Sequence, residues 1–224
     1  MLKNSGSLAD QAYERLEKMI ITLELKPGEI VSVNEISQRM GIGRMPIREA
    51  FKRLENSGLV SIISRTGVII KEITTEDIFL QMEVRSVLEP LIVRRACKYI
   101  NDEEKEYMLK LADEFKRATQ NDDRMATIEI DEEFNKLLMK AARNPFAAQS
   151  IAPLYAMGQR IYFSNYQSEL TNEINHVHIE LMQIIVSGDV EKAIEKVNYL
   201  LKCTEKILRS NMESWLPNQD ISGR

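Results

Sequence analysis

Ser32-Val-Asn34-Glu-Ile-Ser-Gln-Arg-Met-Gly41, then Ile42-Gly43-Arg44-Met45-Pro46-Ile-Arg48-Glu-Ala-Phe-Lys52-Arg-Leu54, then Gly58-Leu-Val-Ser-Ile-Ile-Ser-Arg65-Thr66-Gly67-Val-Ile-Ile-Lys71 is the stretch that decides the fold of the first third of the chain. Ser32 with Glu35 three residues on makes a capping box, so a helix starts at Val33. Gly41 ends it, because glycine enters the left-handed region at little steric cost. Pro46 fits only the first turn of a following helix, where its missing N–H is not needed. In that second helix Ile47, Ala50, Phe51 and Leu54 form one apolar stripe. Arg44, Arg48 and Lys52 recur every four residues and share another face. Leu59–Ile63 and Val68–Ile70, joined by a turn at Ser64–Gly67, read as two strands of a hairpin. A capped helix, a tight turn, a basic helix and a glycine-bounded hairpin have the form that puts a helix in a DNA major groove and a wing on the backbone beside it.

Charge is segregated to match. Seven positive and two negative side chains lie between residues 39 and 71, a local charge of +5 in a chain of −4 overall. The overall acidity therefore does not argue against nucleic acid as a partner. A bland alternative is a surface helix with solvated charges, but the ordered set of turn signals around the basic helix is more specific than the charge alone.

Working outward, Ser7 and Asp10 are placed to cap a first helix with apolar positions Leu8, Ala12, Leu16, Ile20 and Leu23. Lys26-Pro27-Gly28 is expected to stop it, and Glu29–Val31 to form a short strand on the wing. A first domain of residues 1–72 results. The rest reads as six helices: from Thr74 and Asp77 to about Ile100, from an Asn101/Glu104 cap to about Gln120, and about Asp122–Arg143 with a break at Asn144-Pro145. The last three are about Phe146–Asn165 with a distortion at Pro153, about Ser168–Val186, and about Val190–Trp215. Short connections between such helices make an all-α bundle over residues 73–215. Residues 216–224 form a polar tail. The fold class expected is mostly α, an N-terminal winged helix-turn-helix followed by a C-terminal helical bundle.

The 224 residues are enough for one or two domains with real cores. No run of 18 apolar residues suggests a membrane span, and the start of the chain lacks the apolar core of a signal peptide, so the expected compartment is the cytoplasm. Cys97 and Cys203 match no metal or redox spacing and read as reduced thiols. No Glu-x-x-His pair, Gly-x-Ser-x-Gly elbow or phosphate loop points to an enzyme.

The residues quoted resemble the GntR family of bacterial transcription regulators, in the FadR-like branch with an FCD effector domain. The resemblance rests on Leu25-Lys-Pro-Gly-Glu29, Ile42–Ala50, Leu54-Glu55 and Gly58–Val60. In the second domain it rests on Val84-Arg85, Leu88-Glu89, Asp131-Glu-Glu-Phe134, Asn144, His178 and Gly188-Asp189 with Ala193. It covers about residues 7–212. It implies a homodimer on a short palindromic operator in double-stranded DNA, usually as a repressor, with a helical domain that senses a small molecule, often an organic acid. By position it implies DNA contacts from Asn34, Gly43, Arg44, Met45, Arg48 and Lys52, with Arg65, Thr66 and Gly67 at the wing tip. Gly43 and Met45 stand where members often carry hydroxyl residues.

The second domain departs from the family. Many FCD domains hold a divalent metal with one Asp and three His. Here Asp131 and His178 remain, but Asn135 and Leu200 stand at the other two positions. An amide oxygen is a poor ligand for Zn or Ni, and leucine offers none. No cofactor is expected, a degenerate Asp131/His178 metal site being the alternative. Arg85, Asp131, Asn135 and His178 are then expected to line a polar effector pocket, Arg85 facing a carboxylate. His176 and the pair Glu132/Glu133 are expected to face solvent. Two other functions compete with the regulator: a helical enzyme with an accessory DNA-binding domain, using His178 and Asp131 as an acid–base pair, and an architectural DNA binder whose second domain senses nothing.

Overall fold

The computed structural model describes residues 6–64, 66–164 and 169–215, with side chains described for all but 169–170 and 208–215. Its contacts divide into two compact units. The first takes the residues up to Thr74 together with Pro153–Ser164. The second takes Thr75–Ala152 and the described residues after 168. The boundary expected near Glu72 lies just before this division, but the inclusion of Pro153–Ser164 in the first unit had no signal in the sequence.

In the first unit, α1 (Leu8–Ile21) carries the Ser7/Asp10 capping box, α2 (Val33–Met40) carries that of Ser32/Glu35, and α3 spans Arg44–Asn56. Gly41 takes φ 66° and turns the chain between α2 and α3. Two bonds hold that turn: Ser37 Oγ donates to the Ile42 carbonyl at 2.7 Å, and Arg15 reaches over from α1 to the Met40 carbonyl at 3.1 Å. Ile47, Ala50, Phe51 and Leu54 of α3 are buried as the period requires, against Ala12, Leu16 and Ile20 of α1. Each large aliphatic side chain so covered contributes about 1.5–3 kcal/mol.

The strands β1 (Ile30–Val31), β2 (Val60–Ile63) and β3 (Gly67–Ile70) form an antiparallel sheet in the order β1-β3-β2. Val31 pairs with Val68 and Ile62 with Val68 from the other side. The short strand after Gly28 thus joins the wing, as its spacing suggests. Gly67 is needed for packing: at φ 143° a Cβ would stand 2.8 Å from the Val31 carbonyl oxygen.

Two details of α1 differ from expectation. Leu8 is exposed, and Leu23 lies outside the helix, which ends at Ile21 rather than at Lys26-Pro27-Gly28. Thr22 Oγ1 bonds back to the Lys18 carbonyl, and Leu23 takes φ 59°. Leu25 N–H then bonds to Met19 O and its side chain is fully buried. Burying Leu25 wins over one more helical turn.

The second unit contains α4 (Thr75–Tyr99), α5 (Asp102–Gln120), α6 (Arg124–Ala141), α8 (Glu169–Ser187) and α9 (Val190–Trp215). Between them α7 (Pro145–Ser164) passes from the second unit to the first. Packing runs α5 on α6 and α8, and α4 on α6, α8 and α9, with α8 also on α9. The Asn101/Glu104 capping box opens α5 as read, and Asp123 caps α6. Pro90 sits inside α4 and Pro153 inside α7. Ser168, Asn165 and the 216–224 tail lie outside the described residues.

Cys97 and Cys203 are buried and free, and burial pushes the Cys97 thiol up to about 11. An un-ionised buried thiol is a packing group, not a nucleophile. No helix among the described residues is long and apolar enough to cross a membrane.

Candidate DNA interface and effector pocket

The cations of the first unit separate into two sets. Arg53 bonds to Asp10 at 2.8 Å and lies over the Tyr13 ring, and Arg39 pairs with Glu24. Arg53 is thereby committed to holding α3 on α1, and Arg39 to tying α2 to the segment after α1. Arg44, Arg48 and Lys52 are exposed and make no hydrogen bond or ion pair among the described residues. They span about 12 Å along one face of α3, close to the width of a DNA major groove. Gly43 is the N-cap of α3 and supplies no side-chain cap, so the first N–H groups of the helix stay open at that end. Met45 is 74 % exposed beside Arg44. Asn34 and Thr66 are exposed and Gly67 half-buried, whereas Arg65 lies outside the described residues. Glu55 accepts the Ile62 N–H at 2.8 Å, tying the end of α3 to the wing.

In the second unit three helices each present a polar ladder to the interior. Gln81, Arg85 and Glu89 of α4 are buried, as are Thr127 and Asn135 of α6 and Thr171 and Asn175 of α8. Asp131 and His178 are nearly so, with side chains 17 % and 15 % exposed. Asp131 is the hub: Asn135 Nδ2 donates to its Oδ2 at 3.0 Å, and His178 Nε2 stands 3.3 Å from its Oδ1. His178 Nδ1 is 2.9 Å from the Ile174 carbonyl, so both ring nitrogens face oxygen atoms. The ring is fixed further by stacking on Phe115 at 5.6 Å and by the edge of Phe134 at 6.0 Å.

The structure thus brings Asp131, Asn135 and His178 together. Arg85 is placed differently from expectation: its Nε bonds to Glu89 Oε1 at 2.5 Å, with both side chains buried. The carboxylate it grips first is its own neighbour's, one turn along α4. Glu89, Gln81, Thr127, Thr171 and Asn175 were missed as candidates. All but Thr171 stand three or four residues from a named polar residue on the same helix, and Thr171 stands two turns from His178; that spacing was the available signal. His176 is exposed as expected. Glu132 and Glu133 are only half-exposed, because both pair with Lys136 and Glu133 also accepts from Tyr107. An open hollow of about 460 Å³ lies over Met139, Lys140 and Pro145, but its wall is almost wholly apolar, so it is not this polar site.

The donor set does not suit the divalent metal of many FCD domains. Among the described residues no group of three or more His, Cys, Asp and Glu converges on a point. Leu200, at the position where the family pattern has its third histidine, is buried and offers no ligand atom.

Comparison with known proteins agrees with the winged helix and the helical bundle. The family described as bacterial regulatory proteins, gntR family, matches residues 8–70, and the FCD domain matches residues 81–202. The chain belongs to the GntR family, with an FCD domain. Its relatives include the HTH-type transcriptional repressor RspR of Escherichia coli K12, 25% identical over 221 residues and 93% of each chain. The HTH-type transcriptional regulator YdhC of Bacillus subtilis is 31% identical over 135 residues, 60% of each chain. The solved structure of E. coli McbR/YncC has the same fold, with a TM-score of 0.81 at 18% identity over 92% of this chain and 99% of that one. This GntR protein is therefore a DNA-binding transcription regulator with an effector-binding domain, and not an enzyme.

Proposed function

We propose that the protein is a cytoplasmic homodimeric repressor, with residues 1–72 reading a palindromic operator and residues 73–215 holding a small organic acid and joining the two copies. The observation that carries the DNA reading is the set of three exposed cations on α3 that make no hydrogen bond or ion pair among the described residues. Arg44 and Arg48 read base edges, since a guanidinium bonds bidentately to guanine. Lys52, the α3 N-terminus at Gly43, Asn34, Thr66 and Gly67 approach backbone, and Met45 offers an apolar contact in the groove. Arg65, outside the described residues, belongs to the same wing tip. The repressor assignment takes its support from RspR, which carries that description.

The effector reading rests on the buried polar ladder. Arg85 supplies positive charge, while Asp131 and Glu89 accept hydrogen bonds. A ligand with one carboxylate and adjacent hydroxyls satisfies both signs, so a small hydroxy acid fits better than a plain fatty acid. Asn135 and His178 complete its hydrogen bonds directly, with no resident metal. Binding alone does not regulate: the ligand must favour one arrangement of the dimer over another. The test is operator affinity by fluorescence anisotropy across a panel of small acids, with neutral polyols as controls. At least one hydroxy acid is expected to shift affinity in the wild type and not in Asp131→Ala. A panel without effect on affinity or melting temperature leaves the architectural reading standing. Metal analysis of protein purified without chelator is expected to show none. Stoichiometric Zn, Ni or Mn that is lost in Asp131→Ala/His178→Ala contradicts the direct-binding account.

A further inference from the structure

Helix α4 is inverted relative to an ordinary surface helix. Before Pro90 it buries Gln81, Arg85 and Glu89, and only beyond it the apolar Ile92, Val93, Ala96 and Cys97, while it turns Leu80, Val84, Val87 and Leu91 outward, with exposures of 53%, 45%, 71% and 37%. These four stand at spacings of four, three and four, so they form one straight apolar stripe about 16 Å long. Scattered exposed apolar residues need no explanation, but a continuous stripe on a helix whose inner face is polar as far as Glu89 does.

The residues at the ends of the stripe identify what covers it. Glu76 and Asp77 lie on the same face one turn before Leu80, and Arg94 and Arg95 lie on it one turn after Leu91. The sequence is therefore self-complementary about a point between Arg85 and Ser86. Turning a second α4 antiparallel about that point sets Leu80 against the partner's Leu91 and Val84 against the partner's Val87. It also sets the acidic pair against the basic pair at both ends. This is the pattern of a two-fold isologous contact, in which one residue meets a second and the second meets the first. A parallel pairing would instead oppose like charges at both ends.

We infer that the outer face of α4, centred on Val84 and Val87, is a homodimer contact in which the α4 helices of two copies pack antiparallel, Leu80 on Leu91, with Glu76 facing Arg94. Glu76 and Arg94 are the pair to examine, since Arg95 already bonds to the Ala142 and Arg143 carbonyls. The inference rests on the homodimer proposed above and assigns it a surface.

Light scattering of the full-length protein at micromolar concentration separates the two. The wild type is expected at twice the 25.8 kDa chain mass. Val84→Glu/Val87→Glu is expected to weaken association tenfold or more while its circular dichroism stays that of the wild type, since both side chains are exposed. Glu76→Arg and Arg94→Glu are each expected to weaken association, and the two together to restore it. The restoration decides the matter even if the double glutamate variant misfolds. A wild-type dimer that persists in Val84→Glu/Val87→Glu, or a charge swap without rescue, overturns the α4 surface and leaves the dimer intact. A monomeric wild type, with or without DNA, overturns the dimer itself and this contact with it.

Discussion

Arg44→Ala/Arg48→Ala loses specific operator binding while folding as the wild type does. A well-made bidentate arginine–guanine contact is worth about 1–3 kcal/mol of discrimination, so the pair accounts for roughly 30-fold to 10⁴-fold in affinity. The folded state does not suffer, because neither side chain has a partner among the described residues and both are exposed. Surface substitutions of that kind stay within about 0.5 kcal/mol of neutral. Lys52→Ala behaves differently. It weakens specific and non-specific duplexes alike and lowers the salt slope by about one, as a phosphate contact does. Anisotropy titrations at several salt concentrations distinguish these two patterns. The control is Arg53→Ala: that side chain is already bound to Asp10, so its loss touches the packing of α1 more than DNA affinity.

Glu89→Leu is the most destabilising single change expected in the helical unit. It leaves the Arg85 guanidinium buried without the carboxylate that its Nε holds at 2.5 Å. Removing one member of a buried pair costs about 3–5 kcal/mol, because the remaining charge keeps its desolvation penalty. Glu24→Ala, which breaks the exposed pair with Arg39, costs at most about 1 kcal/mol. Arg85→Met/Glu89→Leu recovers most of the loss, since a packed apolar pair of similar volume is close to neutral in such sites. Urea denaturation of the three variants measures the order. If the double variant is stable yet its operator affinity no longer answers any acid, the ion pair serves the ligand and not the fold. If Glu89→Leu unfolds at the wild-type midpoint, the pair is not buried in solution as it is here.

The parts of the fold written in local chemistry were legible. The Ser7, Ser32 and Asn101 caps, the Gly41 turn and the α3 stripe need only neighbours within four residues, and each appears where it was read. The ends of α1 were not legible, because Leu25 finds its burial through a turn at Leu23 that no local pattern demands. In the helical unit periodicity showed where helices lie but not which face of α4 is inside. The face that looks like a core, with Leu80, Val84, Val87 and Leu91, points outward, and the polar ladder points in. The same limit explains the sites. Asp131, Asn135 and His178 were read from an ordered resemblance and do converge, whereas Glu89 was quoted yet its pairing with Arg85 went unseen. Separating free from committed cations on the basic segment required tertiary partners, Asp10 for Arg53 and Glu24 for Arg39, that lie more than a dozen residues away.

In the function proposed above, two copies of this chain read DNA through α3. Selection of the full-length protein against a pool of random duplexes tests it most directly. The expected result is enrichment of an inverted repeat with two-fold-related half-sites, bound by the wild type and not by Arg44→Ala/Arg48→Ala. An enriched sequence without two-fold symmetry, or one that the double variant binds as tightly as the wild type, contradicts it.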